Sequence, residues 1–233
     1  MIKLTTLQAY ADENGNVIEY DGPPLDKNVR IDFRGNNNRL VVETPARIDR
    51  ITVLFDCDNG VVRVGSNDKK SGSHLRLNAR VGEDAKIIIG KYVTMTGACF
   101  MTAAEGSQIT VGDDCMIATD NELRTHDGHP IFDLSTEQRI NTARSITVGN
   151  HVWLSKEAVL LAGAEIADGS VIGLRAVVTG KIPNNAVAVG IPAKVVRRNI
   201  AWERPNLTLT KPYYKPDAST VTKTDYWNAT DEG

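Results

Sequence analysis

Two of the four histidines stand three residues apart in one polar segment of the chain. His126 and His129 enclose Asp127 and Gly128, and residues 123–131 read Leu-Arg-Thr-His-Asp-Gly-His-Pro-Ile. A neutral imidazole is the side chain best suited to accept a proton near neutral pH, so this spacing offers a general base. A histidine in a loop is more often solvated than catalytic, and the assignment therefore depends on the surrounding sequence.

The other two histidines and a pair of adjacent aspartates give weaker evidence of a functional site. His74 and His151 have no partner pattern, and His151 is expected to lie exposed at a corner. The adjacent carboxylates of Asp113 and Asp114 suit a turn, because a calcium or magnesium site needs further spaced ligands. The sequence has no glycine-rich phosphate loop, no Gly-x-Ser-x-Gly elbow and no His-Glu-x-x-His motif. No metal requirement is expected.

Composition and charge restrict the classes of partner. The 233 residues are 41% hydrophobic and 24% charged, which is typical of one globular domain. The formal charge of −2 gives no general attraction to nucleic acid or to an anionic membrane. No run approaches the roughly 20 apolar residues of a membrane span, and no signal-peptide core is present. Three cysteines without a Cys-x-x-Cys pair favour reduced thiols, so a cytoplasmic protein is expected.

A six-residue period surrounds the candidate base. Aliphatic residues recur in phase at Val148, Leu154, Leu160, Ile166, Ile172 and Val178. Small or polar residues follow several of them, and weaker copies of the pattern occur upstream at Ile89-Gly90 and Val111-Gly112. A helix would need apolar residues at three- and four-residue spacing, whereas this unit suits a short strand followed by a tight corner. Three units close one coil, and the sequence predicts a parallel β-solenoid. The alternative is a β-sandwich with accidental periodicity.

The period also divides the chain. Turn signals separated by short apolar runs predict irregular β coils over residues 1–60, and the solenoid proper is expected over residues 61–192. The period breaks between Ala118 and Ile146, so residues 119–145 are predicted to leave the coil as a protruding loop. Pro192 favours the first turn of a short helix running to about Trp202, which would cap the open end of the solenoid. Residues 193–233 therefore form this C-terminal helix and a tail without a period.

Two blocks of the chain resemble the hexapeptide-repeat acyltransferases. Residues 111–130, VGDDCMIATDNELRTHDGHP, are similar to the sugar and capsular polysaccharide O-acetyltransferases of that family, and residues 146–198 follow the family over their full length. The resemblance implies a left-handed parallel β-helix, a homotrimer, and acetyl-CoA bound in a cleft between adjacent subunits. The handedness comes from the resemblance alone, because parallel crossovers are otherwise right-handed.

The resemblance also implies roles for particular residues. His129 matches the catalytic histidine and Asp127 the acidic residue before it, whereas His126 replaces the more common serine. The implied acetyl-CoA contacts are Trp153, Lys156, Leu174 and Thr179 near the pantetheine arm, and Lys194 and Arg197 near the nucleotide phosphates. Lys156 and Leu174 depart from the more frequent serine and alanine. Without the resemblance, these side chains would be interpreted as packing, corner or solvated residues.

These observations predict an acetyl-CoA-dependent O-acetyltransferase that acts on a sugar hydroxyl of a surface polysaccharide or glycan precursor. His129 is the expected general base for direct transfer. Three alternatives stay open. They are an amino-sugar N-acetyltransferase, a zinc hydratase of the γ-carbonic anhydrase type, and a non-catalytic glycan-binding β-helix. The histidine spacing does not resemble the hydratase pattern, and the intact block at residues 146–198 disfavours the non-catalytic interpretation.

Overall fold

Short strands separated by tight corners make up most of the chain. The computed structural model describes residues 1–68 and 74–228, and this part of the chain forms 23 strands and two single-turn 3-10 helices. The strands are β1 (Ile2–Leu4), β2 (Tyr10–Ala11), β3 (Val17–Glu19), β4 (Val29–Phe33), β5 (Arg39–Val42), β6 (Ile48–Phe55), β7 (Val61–Val64), β8 (Leu75–Val81), β9 (Lys86–Ile89), β10 (Thr94–Met95), β11 (Cys99–Ala103), β12 (Gln108–Val111), β13 (Met116–Ile117), β14 (Asn121–Arg124), β15 (Ile146–Val148), β16 (Trp153–Leu154), β17 (Val159–Leu160), β18 (Glu165–Ile166), β19 (Val171–Ile172), β20 (Val177–Val178), β21 (Lys181–Ile182), β22 (Val187–Val189) and β23 (Lys194–Arg197). The 3-10 helices span Ala218–Thr220 and Asp225–Asn228.

Three sheets run along the molecule as the sides of a prism. Sheet 1 contains β1, β4, β6, β8, β11, β14, β17 and β20; sheet 2 contains β2, β3, β5, β7, β9, β12, β15, β18 and β21; sheet 3 contains β10, β13, β16, β19, β22 and β23. From β10 to β22 the chain visits sheets 3, 1 and 2 in turn, and each strand from β10 to β19 pairs in parallel with the strand one coil later. This confirms the predicted β-solenoid and excludes the β-sandwich alternative.

The last coils are shorter than the first ones. Val29 pairs with Ile51, 22 positions later, whereas Val159 pairs with Val177, 18 positions later. Eighteen residues are three six-residue units, and the late strands are mostly two residues long. The early coils instead carry strands of four to eight residues on sheets 1 and 2. The six-residue period is therefore clear in the second half of the sequence and weak before it.

The predicted periodic aliphatic residues form the core column. Val148, Leu154, Leu160, Ile166, Ile172 and Val178 are each no more than 2% exposed. Gly112 and Gly149 occupy successive coils at the corner between sheets 2 and 3. A Cβ atom on Gly112 would lie 2.7 Å from the Gly149 carbonyl carbon, and one on Gly149 would lie 2.8 Å from the Asp168 backbone nitrogen. The small residue of the repeat is thus required by the close approach of successive corners.

An antiparallel strand closes each end of the solenoid. At the amino end β1 pairs antiparallel with β4, and the rings of Tyr10, Phe33 and Phe55 stack with centroid separations of 6.0 and 5.1 Å. At the carboxyl end β23 pairs antiparallel with β22. Aromatic stacking and edge pairing protect core and backbone groups that would otherwise meet solvent.

The predicted capping helix is wrong. Residues 194–197 form the strand β23, and no α-helix occurs in the part of the chain that the structure describes. The backbone N–H and C=O groups of β22 need partners at the open edge of sheet 3, and an extended strand supplies them whereas a helix cannot. The β-branched Val195 and Val196 also favour the extended conformation.

The tail folds back along the corner between sheets 2 and 3. The imidazole of His151 is 1% exposed because it lies between the rings of Trp202 and Tyr226, with centroid distances of 4.1 and 4.6 Å. The expected exposure of His151 is therefore wrong, although His151 does stand at a corner with φ 50°. Arg204 fixes the tail further along, since its guanidinium lies 3.1 Å from Asp114 Oδ1. Among the residues described, no helix is long and apolar enough to cross a membrane.

Candidate active site

A loop leaves the solenoid at the corner between sheets 1 and 2. It spans residues 125–145 rather than 119–145, because Asn121–Arg124 continue sheet 1 as β14. Thr125 anchors the start of the loop, since its hydroxyl lies 2.7 Å from Ser107 Oγ and its side chain is fully buried. The backbone N–H of Arg144 donates to the Thr125 carbonyl at 3.0 Å and closes the base. The loop therefore projects from a fixed base.

The two histidines of the loop have different surroundings. His126 is half-buried, and its Nδ1 accepts a hydrogen bond of 3.0 Å from the backbone N–H of Gly128. Burial first, and then the nearby Arg124 guanidinium, lower the pKa of His126 below its ordinary value. His129 is exposed, and its ring makes no hydrogen bond to any described residue. The His129 imidazole is therefore open to an incoming hydroxyl, and the neutral form of His126 is favoured.

Asp127 does not pair with the His129 ring. Its Oδ2 instead accepts a hydrogen bond of 2.8 Å from the side-chain amide of Asn141. Arg139 lies beside Asn141 and forms an ion pair of 2.5 Å with Glu105 on the preceding coil. The Arg139 guanidinium holds the pKa of Glu105 below its ordinary value. Sequence reasoning missed Asn141, Arg139 and Glu105, because single polar residues at these separations form no recognisable motif.

The predicted pantetheine contacts lie on the last coils. Trp153 is half-buried on the outer side of sheet 3, and its ring centroid is 6.0 Å from that of Trp202. Lys156 and Leu174 occupy the same corner of successive coils, between sheets 3 and 1. The two corners touch through the Arg175 N–H, which donates to the Lys156 carbonyl at 3.1 Å. Leu174 is 63% exposed, and Lys156 forms an ion pair of 3.1 Å with Glu157.

The predicted phosphate contacts lie on the terminal strand. Lys194 and Arg197 are exposed on β23 and pair with Val189 and Val187. Val187 and Val189 are two residues apart, so they share one side of β22, and their partners share that side as well. Lys194 and Arg197 are three residues apart, and the pairing shifts by one residue at a bulge between Val187 and Ala188. The predicted helix is absent here, and the two cations instead lie on one side of the strand β23.

The structure separates these residues into two groups. Trp153, Lys194 and Arg197 lie on the outer side of sheet 3, with Lys156 and Leu174 at its edge. Thr179 is exposed at the corner between sheets 1 and 2, two coils beyond the base of the His129 loop. In a three-sided prism, the corner between two sheets is opposite the third. One chain therefore places His129 and Trp153 on opposite sides of the solenoid.

Known proteins with related sequences are acetyltransferases. No protein-family model matches the chain. The polysialic acid O-acetyltransferase of Neisseria meningitidis is 32% identical over 190 residues, which cover 73% of this chain and 88% of that protein. The polysialic acid O-acetyltransferase of Escherichia coli O1:K1 is 37% identical over 143 residues, or 61% of this chain, and the match spans 45% of that protein.

A solved structure agrees with the sequence matches. The crystal structure of the polySia-specific acetyltransferase NeuO superposes with a TM-score of 0.68 at 34% identity, over 77% of this chain and 82% of that one. These relatives are acetyltransferases, which favours a transferase over the hydratase and non-catalytic alternatives. In the described ranges, no three His, Cys, Asp or Glu side chains cluster as a metal site would require.

Proposed function

The chain belongs to the hexapeptide-repeat acetyltransferases, which fold as left-handed β-helices, and on that premise we propose that it transfers the acetyl group of acetyl-CoA to a sugar hydroxyl of a surface polysaccharide. One observation carries the proposal. The His129 imidazole is exposed and has no hydrogen-bond partner among the residues that the structure describes, and it stands on a loop whose base is fixed by buried contacts. A general base needs this combination of access and fixed position.

His129 moves one proton in the proposed reaction. It removes the proton from the sugar hydroxyl as the oxygen attacks the thioester carbonyl, which produces a tetrahedral oxyanion. The carbon–sulfur bond then breaks, and the His129 imidazolium returns the proton to the departing thiolate. In this proposal transfer is direct. Cys99 and Cys115 are fully buried, and burial raises the pKa of each thiol to about 12, while the exposed Cys57 lies three coils before the loop. Neither buried thiol is suited to act as a nucleophile.

The site is completed by a second copy of the chain. His129 and Thr179 lie at the corner between sheets 1 and 2, whereas the other proposed acetyl-CoA residues lie on sheet 3 or at its edge, so a shared site requires the loop of one chain to face sheet 3 of the next. A cyclic trimer satisfies this arrangement three times with one kind of interface. Trp153, Lys156, Leu174 and Thr179 border the pantetheine arm in this proposal, while Lys194 and Arg197 contact the phosphates.

Calorimetric titration with acetyl-CoA tests the proposal. We expect saturable binding near one equivalent per chain, and weaker binding of coenzyme that lacks the 3′-phosphate. The double variant Lys194→Ala/Arg197→Ala is expected to bind the two coenzymes equally, because the phosphate contacts are gone. Lack of acetyl-CoA binding by the oligomeric protein would refute the transferase proposal.

A further inference from the structure

The side chain of Asn141 uses all of its hydrogen-bonding positions inside the loop. Its nitrogen donates to Asp127 Oδ2 at 2.8 Å and to the carbonyl oxygen of His129 at 2.9 Å. Its oxygen accepts from the backbone N–H of Ile131 at 2.7 Å and from Arg139 Nε at 3.3 Å. A primary amide has two donor hydrogens and two acceptor lone pairs, so every position is occupied.

The partners of Asn141 determine which way its amide points. The Asp127 carboxylate and the His129 carbonyl can only accept, whereas the Ile131 N–H and the Arg139 guanidinium can only donate. A rotation that exchanged the amide oxygen and nitrogen would place like groups together at all four contacts. The hydrogen-bond network therefore permits one orientation.

Asn141 is tied to the solenoid through Arg139. The Arg139 guanidinium donates to Glu105 Oε1 at 2.5 Å and to the backbone carbonyl oxygen of Asn141 at 3.1 Å. Glu105 lies at the corner between β11 and β12, and its second oxygen accepts from the Ala143 N–H at 3.2 Å. A continuous series of contacts thus connects a coil of the solenoid to the backbone of His129.

We propose that Asn141 is a positioning residue for His129, and this inference rests on the proposed function. The amide holds the His129 carbonyl on one side and the Asp127 carboxylate on the other. It thereby fixes the backbone from which the His129 ring extends. A displacement of a catalytic group by about 1 Å can lower a rate by about 100-fold, so this contact sets the efficiency of the base.

The variant Asn141→Asp tests the inference. It keeps the shape of the side chain and an oxygen toward Ile131 and Arg139, but it removes both donated hydrogen bonds. We expect kcat to fall by about tenfold or more, because the base loses its fixed position. KM for acetyl-CoA should change by less than about twofold, because the residues proposed to bind acetyl-CoA lie on the coils and not on the loop. Hydrogen exchange of the backbone amides at residues 127–129 should become faster. Thr142→Ala, at the exposed neighbouring position, should match the wild type in every measurement.

The outcomes separate this inference from the proposed function. If the wild type transfers no acetyl group, the proposed function fails. If the wild type is active and Asn141→Asp retains its kcat, the positioning role is refuted. A parallel change in kcat and in KM for acetyl-CoA would also refute it, because this would indicate a general loss of structure. Asn141→Ala, which removes all four hydrogen bonds, should lower kcat at least as much as Asn141→Asp.

Discussion

The indole of Trp202 stacks on the imidazole of His151, with ring centroids 4.1 Å apart and an interplanar angle of 13°. Reciprocal hydrogen bonds reinforce the stack. Trp202 Nε1 donates to the His151 carbonyl at 2.9 Å, and His151 Nε2 lies 3.0 Å from the Trp202 carbonyl oxygen. The same indole lies beside Trp153, the predicted pantetheine contact. The tail thus attaches to the solenoid next to the proposed donor site.

Two substitutions at Trp202 separate stacking from hydrogen bonding. Trp202→Ala should lower the free energy of unfolding by about 3–5 kcal/mol, the usual cost of removing a buried Trp. Trp202→Phe keeps a stacked ring and loses the Nε1–H bond, so about 0.5–1.5 kcal/mol is expected. Denaturant titration measures both values. Tyr214→Ala, at a position that is 81% exposed, is the control and should be neutral. Equal losses for all three variants would show that the tail does not pack as described.

Glycine substitutions test the close approach of the coils. Gly112→Ala should destabilise the protein by about 1–3 kcal/mol, because its Cβ would lie 2.7 Å from the Gly149 backbone carbonyl. Gly180→Ala is the matched control, since apart from its chain neighbours no described residue has a heavy atom within 4 Å of the position that its Cβ would take, and its φ lies outside the left-handed range. Thermal unfolding reports the difference. Equal stability of the two variants would contradict the stacked-corner geometry.

Thiol labelling tests the burial of the core column. Cys57 is exposed and should react with an aromatic disulfide reagent in the native protein, whereas Cys99 and Cys115 should react only after unfolding. Their pKa values are raised to about 12, so the folded state favours the protonated thiols. This contribution to stability is complete below the unfolded thiol pKa and is lost as the pH rises toward 12. The unfolding free energy should therefore fall above about pH 9. Native labelling of all three thiols would contradict the structure.

Mixing two variants tests the site between copies. His129→Ala lacks the proposed base, and Trp153→Ala lacks a proposed contact to the pantetheine arm of acetyl-CoA, so each variant should have little activity alone. After subunit exchange at equal concentrations, about a quarter of the sites should combine an intact His129 with an intact Trp153. Activity should recover to that extent, and mass spectrometry of mixed oligomers provides the control. Mixed oligomers without recovered activity would show that the two residues serve different sites.

The sequence predicts the repeating part of the fold and little of its ends. The aliphatic period from Val148 to Val178 identifies core positions, because each residue meets its equivalent one coil away. The strand β23 and the burial of His151 were not predictable, since each depends on contacts between distant segments. Pro192 satisfied local rules for a helix start, but the open edge of β22 determines the structure there. Asn141 was missed for the same reason, because its partners are assembled by the loop.

The acetyl-transfer rate of His129→Ala shows whether the His129 imidazole acts as the base. The assay uses acetyl-CoA with polysialic acid, the acceptor named for the related proteins, and calorimetry on the same samples confirms donor binding. We predict that the variant binds acetyl-CoA like the wild type and loses about 100-fold or more of the turnover rate. A variant that folds, binds acetyl-CoA and keeps turnover within about threefold of the wild type would contradict the role of His129 as the base.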